Sequence, residues 1–424
     1  MENYWATMKR IVLFVLMVLV GSGVWASTIP TNLPEYKAVV RSRADKVRSI
    51  SDEAKFYLVT CEPGEEVYER FGHSGIRVYD PVTGIDEVFH WGLFSFDTPN
   101  FIGRFISGNT DYEMGVYSTK FFVLQYIERG SAIYAQELDF TPEQKHEFWA
   151  RLWENYRPEN RKYRYNFIFD NCATRPYQAI ISEFDYKVSL DISQEDITYR
   201  DIINSYIPIG SLYNTGINLI VGSDADKYIS PKESVSFPLY TMSVLNHTKY
   251  VTDNGLEPIV KSQEIMHKAP RKIFETPKST YYGSIAIPIL LALLCVVYTH
   301  KKRRYVPYFT QFVLLVSSIV GLIISYLWFC SHHPIVDNNM NILWCNPLNI
   351  ILAILLFIKT RRLRIVKFIF AIVNIVLCVV FIITLITGVQ HSTPQILSMW
   401  LLMLTINSTI IETYKSKIKS RHHK

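Results

Sequence analysis

Apolar and polar positions divide the chain into three stretches of different character. Residues 11–20 form an uninterrupted apolar run. From about residue 50 to 280, apolar and polar residues alternate at the spacings of folded elements. Beyond 280 long apolar stretches dominate, at roughly 281–299, 306–330, 342–358, 365–388 and 395–411. A helix needs ~20 apolar residues to cross the hydrocarbon core of a bilayer. The pattern therefore predicts five transmembrane helices, the third interrupted by Asn346, Pro347 and Asn349.

The middle stretch predicts an α+β domain with a small antiparallel sheet. Residues 30–55 are polar and mixed in charge and read as a helix. Residues 56–60 read as a strand, and residues 75–79 alternate with a period of two. Asp80-Pro81-Val82-Thr83-Gly84 is a turn cluster, and residues 85–91 supply the returning strand. Thr141-Pro142-Glu143-Gln144 starts a helix that runs to about Arg157: a capping Thr, Pro at the first helical position, Gln three residues after the cap. Residues 166–171 lead into a second helix, which starts near Cys172 and continues through Ile181. Residues 210–280 read as loop-rich, with a glycine-containing turn at 219–226. There is no internal repeat.

Composition sharpens this division. The 424 residues are 49% hydrophobic and only 19% charged, which excludes a disordered chain, a collagen-like repeat and a small disulfide scaffold. Residues 27–280 carry a net charge of −7, whereas residues 281–424 carry +12, with only Asp337 and Glu412 as acids. No basic surface gathers on the soluble part, so a nucleic-acid partner is not expected. Lys9 and Arg10 precede the first apolar run, and Val24-Trp25-Ala26 offers a cleavage site, so residues 1–26 read as a secretory signal. Lys301 to Arg304, the basic residues of 359–367 and those of 415–424 fall on one side of the alternating spans. The segments 331–340 and 390–394 hold no Lys or Arg. By the positive-inside rule the soluble domain then lies on the exported side. The expected organisation is a signal at 1–26, a periplasmic catalytic domain at 27–280, a five-helix membrane domain at 281–414 and a basic cytoplasmic tail at 415–424. The expected location is multi-pass in the bacterial inner membrane.

Two clusters carry candidate chemistry. In Phe71-Gly72-His73-Ser74-Gly75 the histidine stands at a strand start between glycines. If the hairpin loop has four residues and Tyr79 faces Gly84, His73 lies directly opposite His90, with Cβ atoms ~5 Å apart. A slip of one residue would send them to opposite faces. The second cluster is Asp170-Asn171-Cys172-Ala173-Thr174-Arg175. A cysteine at a helix N-terminus gains from the dipole and from unpaired N–H groups, which favour thiolate and can also hold an oxyanion. Cys with a strand His is what nucleophilic catalysis requires. Against this, Cys61 and Cys172 are the only cysteines of the soluble part, and an oxidising compartment invites a disulfide between them. Cys330 and Cys345 invite another at the exported ends of their spans. No metal or cofactor motif is found.

The order of these motifs, His on a strand, a second His on the next strand, then Asn-Cys at a helix start, resembles the circularly permuted papain-like families. These include NlpC/P60 relatives and the lecithin:retinol acyltransferases. Together with Gly222-Ser223-Asp224-Ala225-Asp226 and the apolar tail, the motifs are similar to the Lnb-type lipoprotein N-acyltransferases of Bacteroidota. The resemblance implies Cys172 as nucleophile, His73 as its base and His90 as the group orienting His73. Asn171, Asp170, Arg175, Gly72 and Ser74 would support the site or the substrate. It further implies a phospholipid acyl donor, a thioester, a lipoprotein acceptor and no cofactor. A helix cap is the plainer reading of Asp170, and a salt bridge is as good a reading of Arg175 as a headgroup contact. The aromatic residues Phe94, Phe96, Phe101 and Phe105 suit a site working at a bilayer surface. The competing readings are a membrane-anchored cysteine peptidase or amidase of the cell wall, a phospholipase, and a non-enzymatic assembly module.

Overall fold

The computed structural model describes residues 49–66, 69–94, 99–193, 196–253, 255–270 and 275–419. The expected signal segment and most of the expected helix at 30–55 lie outside the described residues. Its last residues, 49–54, form a turn that buries Ile50 and leads into the first strand.

Among the described residues ten strands follow: β1 Lys55–Cys61, β2 His73–Asp80, β3 Ile85–Leu93, β4 Asp111–Ser118, β5 Ile133–Leu138, β6 Lys162–Arg164, β7 Val188–Leu190, β8 Thr248–Thr252, β9 Gly255–Pro258 and β10 Val260–His267. Seven of them form one antiparallel sheet in the order β10-β5-β1-β2-β3-β4-β6, and β7-β8-β9 form a second. The α+β class stands, with a larger main sheet than expected. The region 210–280 is not loop-rich, because it supplies three helices, one of them the four-residue Pro231–Ser234, and three strands.

Helices α1 (Phe101–Ile106), α2 (Thr119–Glu128), α3 (Pro142–Tyr156) and α4 (Thr174–Ser182) surround the main sheet. One face packs Phe56, Phe89 and Trp91 against Phe148, Trp149, Leu152 and Trp153 of α3. Burying each such side chain stabilises the fold by about 1.5–3 kcal/mol. The other face packs Tyr57, Val59, Cys61 and Val88 against Phe122 and Tyr126 of α2. The start of α3 is as the sequence dictates: Gln144 N–H donates to Thr141 Oγ1 at 3.3 Å while Thr141 N–H donates to Gln144 Oε1 at 2.9 Å. A separate cluster around Ile168, Ile202, Ile203 and Phe237 joins α5 (Tyr199–Tyr206), α6 (Leu212–Ile220) and α7 (Pro238–Asn246) to the turn before Cys172.

The tail folds as α8 (Lys278–Lys302), α9 (Phe309–Cys330), α10 (Asn349–Phe357), α11 (Arg364–Ile386) and α12 (Pro394–Lys419). Four of these helices are long and apolar enough to cross a membrane, α10 being the exception. The expected third span instead forms a single 3₁₀ turn, Met340–Leu343, followed by nine residues of helix. Pro347 and the polar Asn346 and Asn349 break it, as their chemistry requires. These asparagines hydrogen-bond across helices: Asn374 donates to Asn349 at 2.9 Å and to Asn407 at 3.1 Å.

The exported domain sits against two loops of the tail. His332 N–H donates to Ser107 O at 3.0 Å, just past α1. Gly222 N–H donates to Ile335 O at 2.8 Å, and a Cβ on Gly222 would stand only 1.8 Å from Asp337 O, so glycine permits this approach. A buried Arg200–Asp226 pair, 2.6 Å apart, closes the joint, with His391 at 3.3 Å from Asp226. The basic segments gather at the other end, where Arg303 lies 3.7 Å from Glu412.

Candidate active site

The hairpin of β2 and β3 places the two histidines. Its four-residue loop spans 81–84, and Asp80, not Tyr79, begins the pairing, opposite Ile85. The Asp80 carboxylate stabilises the turn by accepting from Val82 N–H at 2.9 Å and from the Thr83 hydroxyl at 2.7 Å. His90 therefore faces Gly75. The expected direct pairing with His73 is corrected to a diagonal one. A shift of two residues preserves the face, so the rings still meet: His73 Nε2 and His90 Nδ1 are 3.1 Å apart.

The extra two residues bring Gly92 to the space beside His73. Gly92 adopts φ +117°, at an irregularity between β3 and β4. A Cβ built there would stand 3.4 Å from His73 Cε1 and 3.6 Å from Cys172 Cβ. The imidazole and the nucleophile candidate thus both border Gly92, whose positive φ is the feature that favours glycine there. Gly92 was not among the residues singled out from sequence. A lone glycine inside a strand pattern is the signal that marks it.

Cys172 lies in the turn before α4, and the turn is held from both ends. Asn166 Oδ1 accepts from the N–H groups of Ile168 at 3.1 Å and Phe169 at 2.9 Å, and Ile168 is fully buried. Asn171 is 3% exposed; its Nδ2 donates to Phe167 O and Ser236 O, and its Oδ1 accepts from Ala173 N–H at 2.8 Å and Thr174 N–H at 3.0 Å. Asn171, rather than Asp170, covers the helix start. Asp170 instead pairs with Arg175, with Nη2 to Oδ2 at 2.8 Å, and the Arg175 guanidinium lies 3.7 Å over the Tyr163 ring. Arg175 thus makes the salt bridge that the sequence allowed, and it lines a cavity together with Trp91, Asn155 and Asp170.

The same capping changes the expected electrostatics. Two N–H groups of the first turn are spent on Asn171, so the open helix-end oxyanion site expected from sequence does not form. The sulfur accepts from the backbone N–H of Ser74 and of Cys172 itself. Burial nevertheless outweighs both hydrogen bonds and pushes the thiol up to about 11. The expected lowering of the Cys172 pKa is therefore reversed: the resting group is a thiol. Burial also holds both imidazoles neutral, His73 well below 6.5 and His90 down to about 3, with nearby Arg129 adding to the effect.

The surroundings are aromatic. His73 stacks on Tyr126 at 6.1 Å, and His90 lies 4.7 Å from the Tyr117 ring. Burial and then the neighbouring Cys172 raise the phenol pKa values of Tyr112 and Tyr163. Arg129 pairs with Glu69 at 3.0 Å and covers Tyr126 at 4.9 Å. Gly72 adopts φ +77°, where a Cβ would stand 2.5 Å from Cys61 O, and Ser74 is buried and contributes its N–H. Arg129 and the tyrosines escaped sequence reading because only the folded sheet brings Arg129 to the two histidines and Tyr112 and Tyr163 to Cys172. All six cysteines are free thiols, so neither expected disulfide forms.

Two family models match the chain. The Lnb N-terminal periplasmic domain matches residues 43–205, and the Lnb transmembrane domain matches residues 276–417. No curated protein and no solved structure matches it, so the papain-like likeness rests on motif order alone. With both parts matched in order, and with four apolar helices of spanning length behind an α+β domain, the chain belongs to the Lnb family of multi-pass membrane proteins with a periplasmic N-terminal domain.

Proposed function

We propose that this protein is a cysteine-dependent lipoprotein N-acyltransferase. It would move a fatty acyl chain from a phospholipid, through a Cys172 thioester, to the N-terminal amine of diacylglyceryl-cysteine lipoproteins at the inner membrane. The observation that carries this reading is that Cys172 and His73 both lie beside Gly92, with His90 behind His73. The catalytic domain would span 27–280 after cleavage of a signal at 1–26, ahead of a membrane domain at 281–414. We read the segment 340–358 as a broken fifth crossing. Asn341 at its start bonds Leu219 O, while Leu356 O near its end accepts from Tyr305 beside the basic end.

The chemistry follows from the resting protonation states. His73 Nε2 is occupied by His90, which leaves Nδ1 for the thiol. With its proton on Nε2, His73 donates to His90 Nδ1 and presents Nδ1 as a base. A thiol held near 11 is not a ready thiolate, so proton transfer to His73 accompanies attack on the ester carbonyl. As the sulfur bonds to carbon it gives up its charge, and the Cys172 N–H that it held turns to the carbonyl oxygen, where the charge now gathers. Collapse breaks the ester C–O bond, and the alkoxide of the lysophospholipid leaves with the proton held by His73. The acceptor α-amine, with an ordinary pKa of ~7.7–8.0, then attacks the thioester. His73 takes the amine proton, the C–S bond breaks, and the sulfur recovers a proton. Aromatic walls keep water from the thioester, which separates transfer from hydrolysis.

The test is Cys172→Ala in cells, with mass spectrometry of lipoprotein N-termini. Loss of the N-acyl group at normal protein level supports the reading, and unchanged acylation rejects it. Release of free fatty acid by the wild-type protein with no acylated lipopeptide would favour the phospholipase reading instead.

A further inference from the structure

A continuous file of rings links the candidate site to the membrane-facing loop of the tail. Tyr165 stacks on Tyr112 at 4.1 Å, and Tyr112 stacks on Phe94 at 4.9 Å. Phe94 stacks on Phe101 at 5.8 Å, and Phe101 on Phe105 at 6.1 Å. Phe105 then meets the edge of His333 at 5.7 Å. The inner end belongs to the site: Tyr112 and Tyr165 are both near enough to Cys172 to sense its charge, and Phe94 stands two residues beyond Gly92. The outer end belongs to the membrane side, because His333 follows α9, whose last residue is Cys330. Exposure rises from Tyr112 outward, from 9% there to 46% at Phe105, with Ile102 beside it at 44%. Helix α1 has no buried residue at all, which an ordinary core helix would not show.

We propose that this file is the track along which an acyl chain of a membrane phospholipid leaves the bilayer and reaches Cys172. The proposal deepens the transferase reading and rests on it. Its occupant follows from continuity: the stripe begins beside the exported end of an apolar span and ends at the sulfur that would take the acyl group. The rings of Phe94, Phe101 and Phe105 offer apolar contact without hydrogen-bond donors or acceptors that a hydrocarbon chain would leave unpaired, and the phenol groups of Tyr112 and Tyr165 stand only at the inner end. The rings are fixed at one end by the sheet. At the other end the loop fixes them, through His332 N–H to Ser107 O at 3.0 Å and a His333 contact to Phe105 O. Gly108 serves the same joint, since a Cβ there would stand 2.8 Å from His333 N. The track makes a chain-length demand that the Cys172–His73 pair alone does not make.

Two measurements on the full-length protein test it. Cys172→Ala protein is placed in phosphatidylethanolamine vesicles doped with a phospholipid carrying a photoactivatable diazirine in one acyl chain. After illumination, adducts are expected on Phe94, Phe101 or Phe105. Adducts confined to α8, α9, α11 and α12 would overturn the track. In the second, Cys172 acylation is compared between a long-chain phospholipid and a water-soluble short-chain ester. In Phe105→Glu and Phe101→Ala the ratio of long-chain to short-chain rate is expected to fall at least tenfold. Phe105 is exposed enough for its variant to fold, and Phe101→Ala introduces no charge. An unchanged ratio in both variants, which is what mere packing against the loop would give, overturns the proposal. The transferase reading fails on a different readout, acyl transfer that survives Cys172→Ala.

Discussion

Two thiols border the same imidazole, and the proposed mechanism uses only one of them. Cys61 ends β1 and faces His73 directly in the sheet register, which looks like the better partnership on topology alone. Yet Cys61 is completely buried in the α2-side core. Burial drives its pKa well above 9.0; Arg129 opposes this and Cys172 reinforces it. Cys172 comes from a turn outside the sheet. It is partly exposed, accepts two backbone N–H groups, and looks onto His73 over a glycine. Its thiol also rises, but to about 11 and against two opposing hydrogen bonds. Nearness to a histidine therefore does not make a nucleophile; access and donors at the sulfur do.

The sharpest way to break that comparison is to exchange the roles. Cys172→Ala is expected to lower lipoprotein acylation by about 10³-fold or more, as removal of a nucleophile does. Cys61→Ala is expected to keep activity within about threefold and to cost ~1 kcal/mol for the small cavity. Acylation assays beside denaturant melts measure both. If Cys61→Ala is the inactive one, the assignment is reversed.

Next in size comes the gap itself. Gly92→Ala puts a methyl group 3.4 Å from His73 Cε1 and 3.6 Å from Cys172 Cβ and strains a residue at φ +117°. The expected loss in rate is about 100-fold, the scale of a ~1 Å misplacement of reacting groups. The backbone strain adds ~1–3 kcal/mol of destabilisation. Full activity in Gly92→Ala would mean that the two groups do not react across this space.

His90 gives a smaller effect with a distinct signature. His90→Ala is expected to slow the reaction about tenfold, and His90→Gln less, because an amide can still accept from His73 Nε2. The fold should also respond to acid. Burial holds His90 at about 3 and His73 well below 6.5, so the folded imidazoles refuse protons that the unfolded chain accepts below 6.5. Their contribution is fully present above 6.5 and is lost as pH falls toward 3. Thermal melts from pH 7 to 4 should decline less steeply in His90→Gln; an unchanged slope counts against a buried, neutral His90.

The smallest effect belongs to Arg175. Its pairing with Asp170 is partly exposed, so Arg175→Lys should cost under ~1 kcal/mol and leave the rate within about twofold. A selective loss of phospholipid affinity would restore the headgroup role.

What the sequence disclosed follows from what is local. Period-two alternation put His73 and His90 on one face, and a register error of two residues could not undo that. Thr141 and Gln144 announced their helix because capping is written in four consecutive residues. Asn171 and Cys172 announced a helix start, but whether Asn or Asp would cover it depended in part on Ser236, 65 residues further along the chain. The direction of the Cys172 shift was not legible, because burial is a property of the packed domain. Gly92 was legible in principle, as a glycine inside a strand. The third span was legible as weak, since Pro347 and its asparagines interrupt it.

The most direct measurement is to trap the intermediate. Full-length protein in phosphatidylethanolamine vesicles without acceptor is quenched, digested and examined by mass spectrometry. The expected result is a hydroxylamine-sensitive fatty acyl group on the peptide containing Cys172, absent from His73→Ala. An acyl group on Cys61 or on any other residue, with the Cys172 peptide unmodified, would contradict the assignment of the nucleophile.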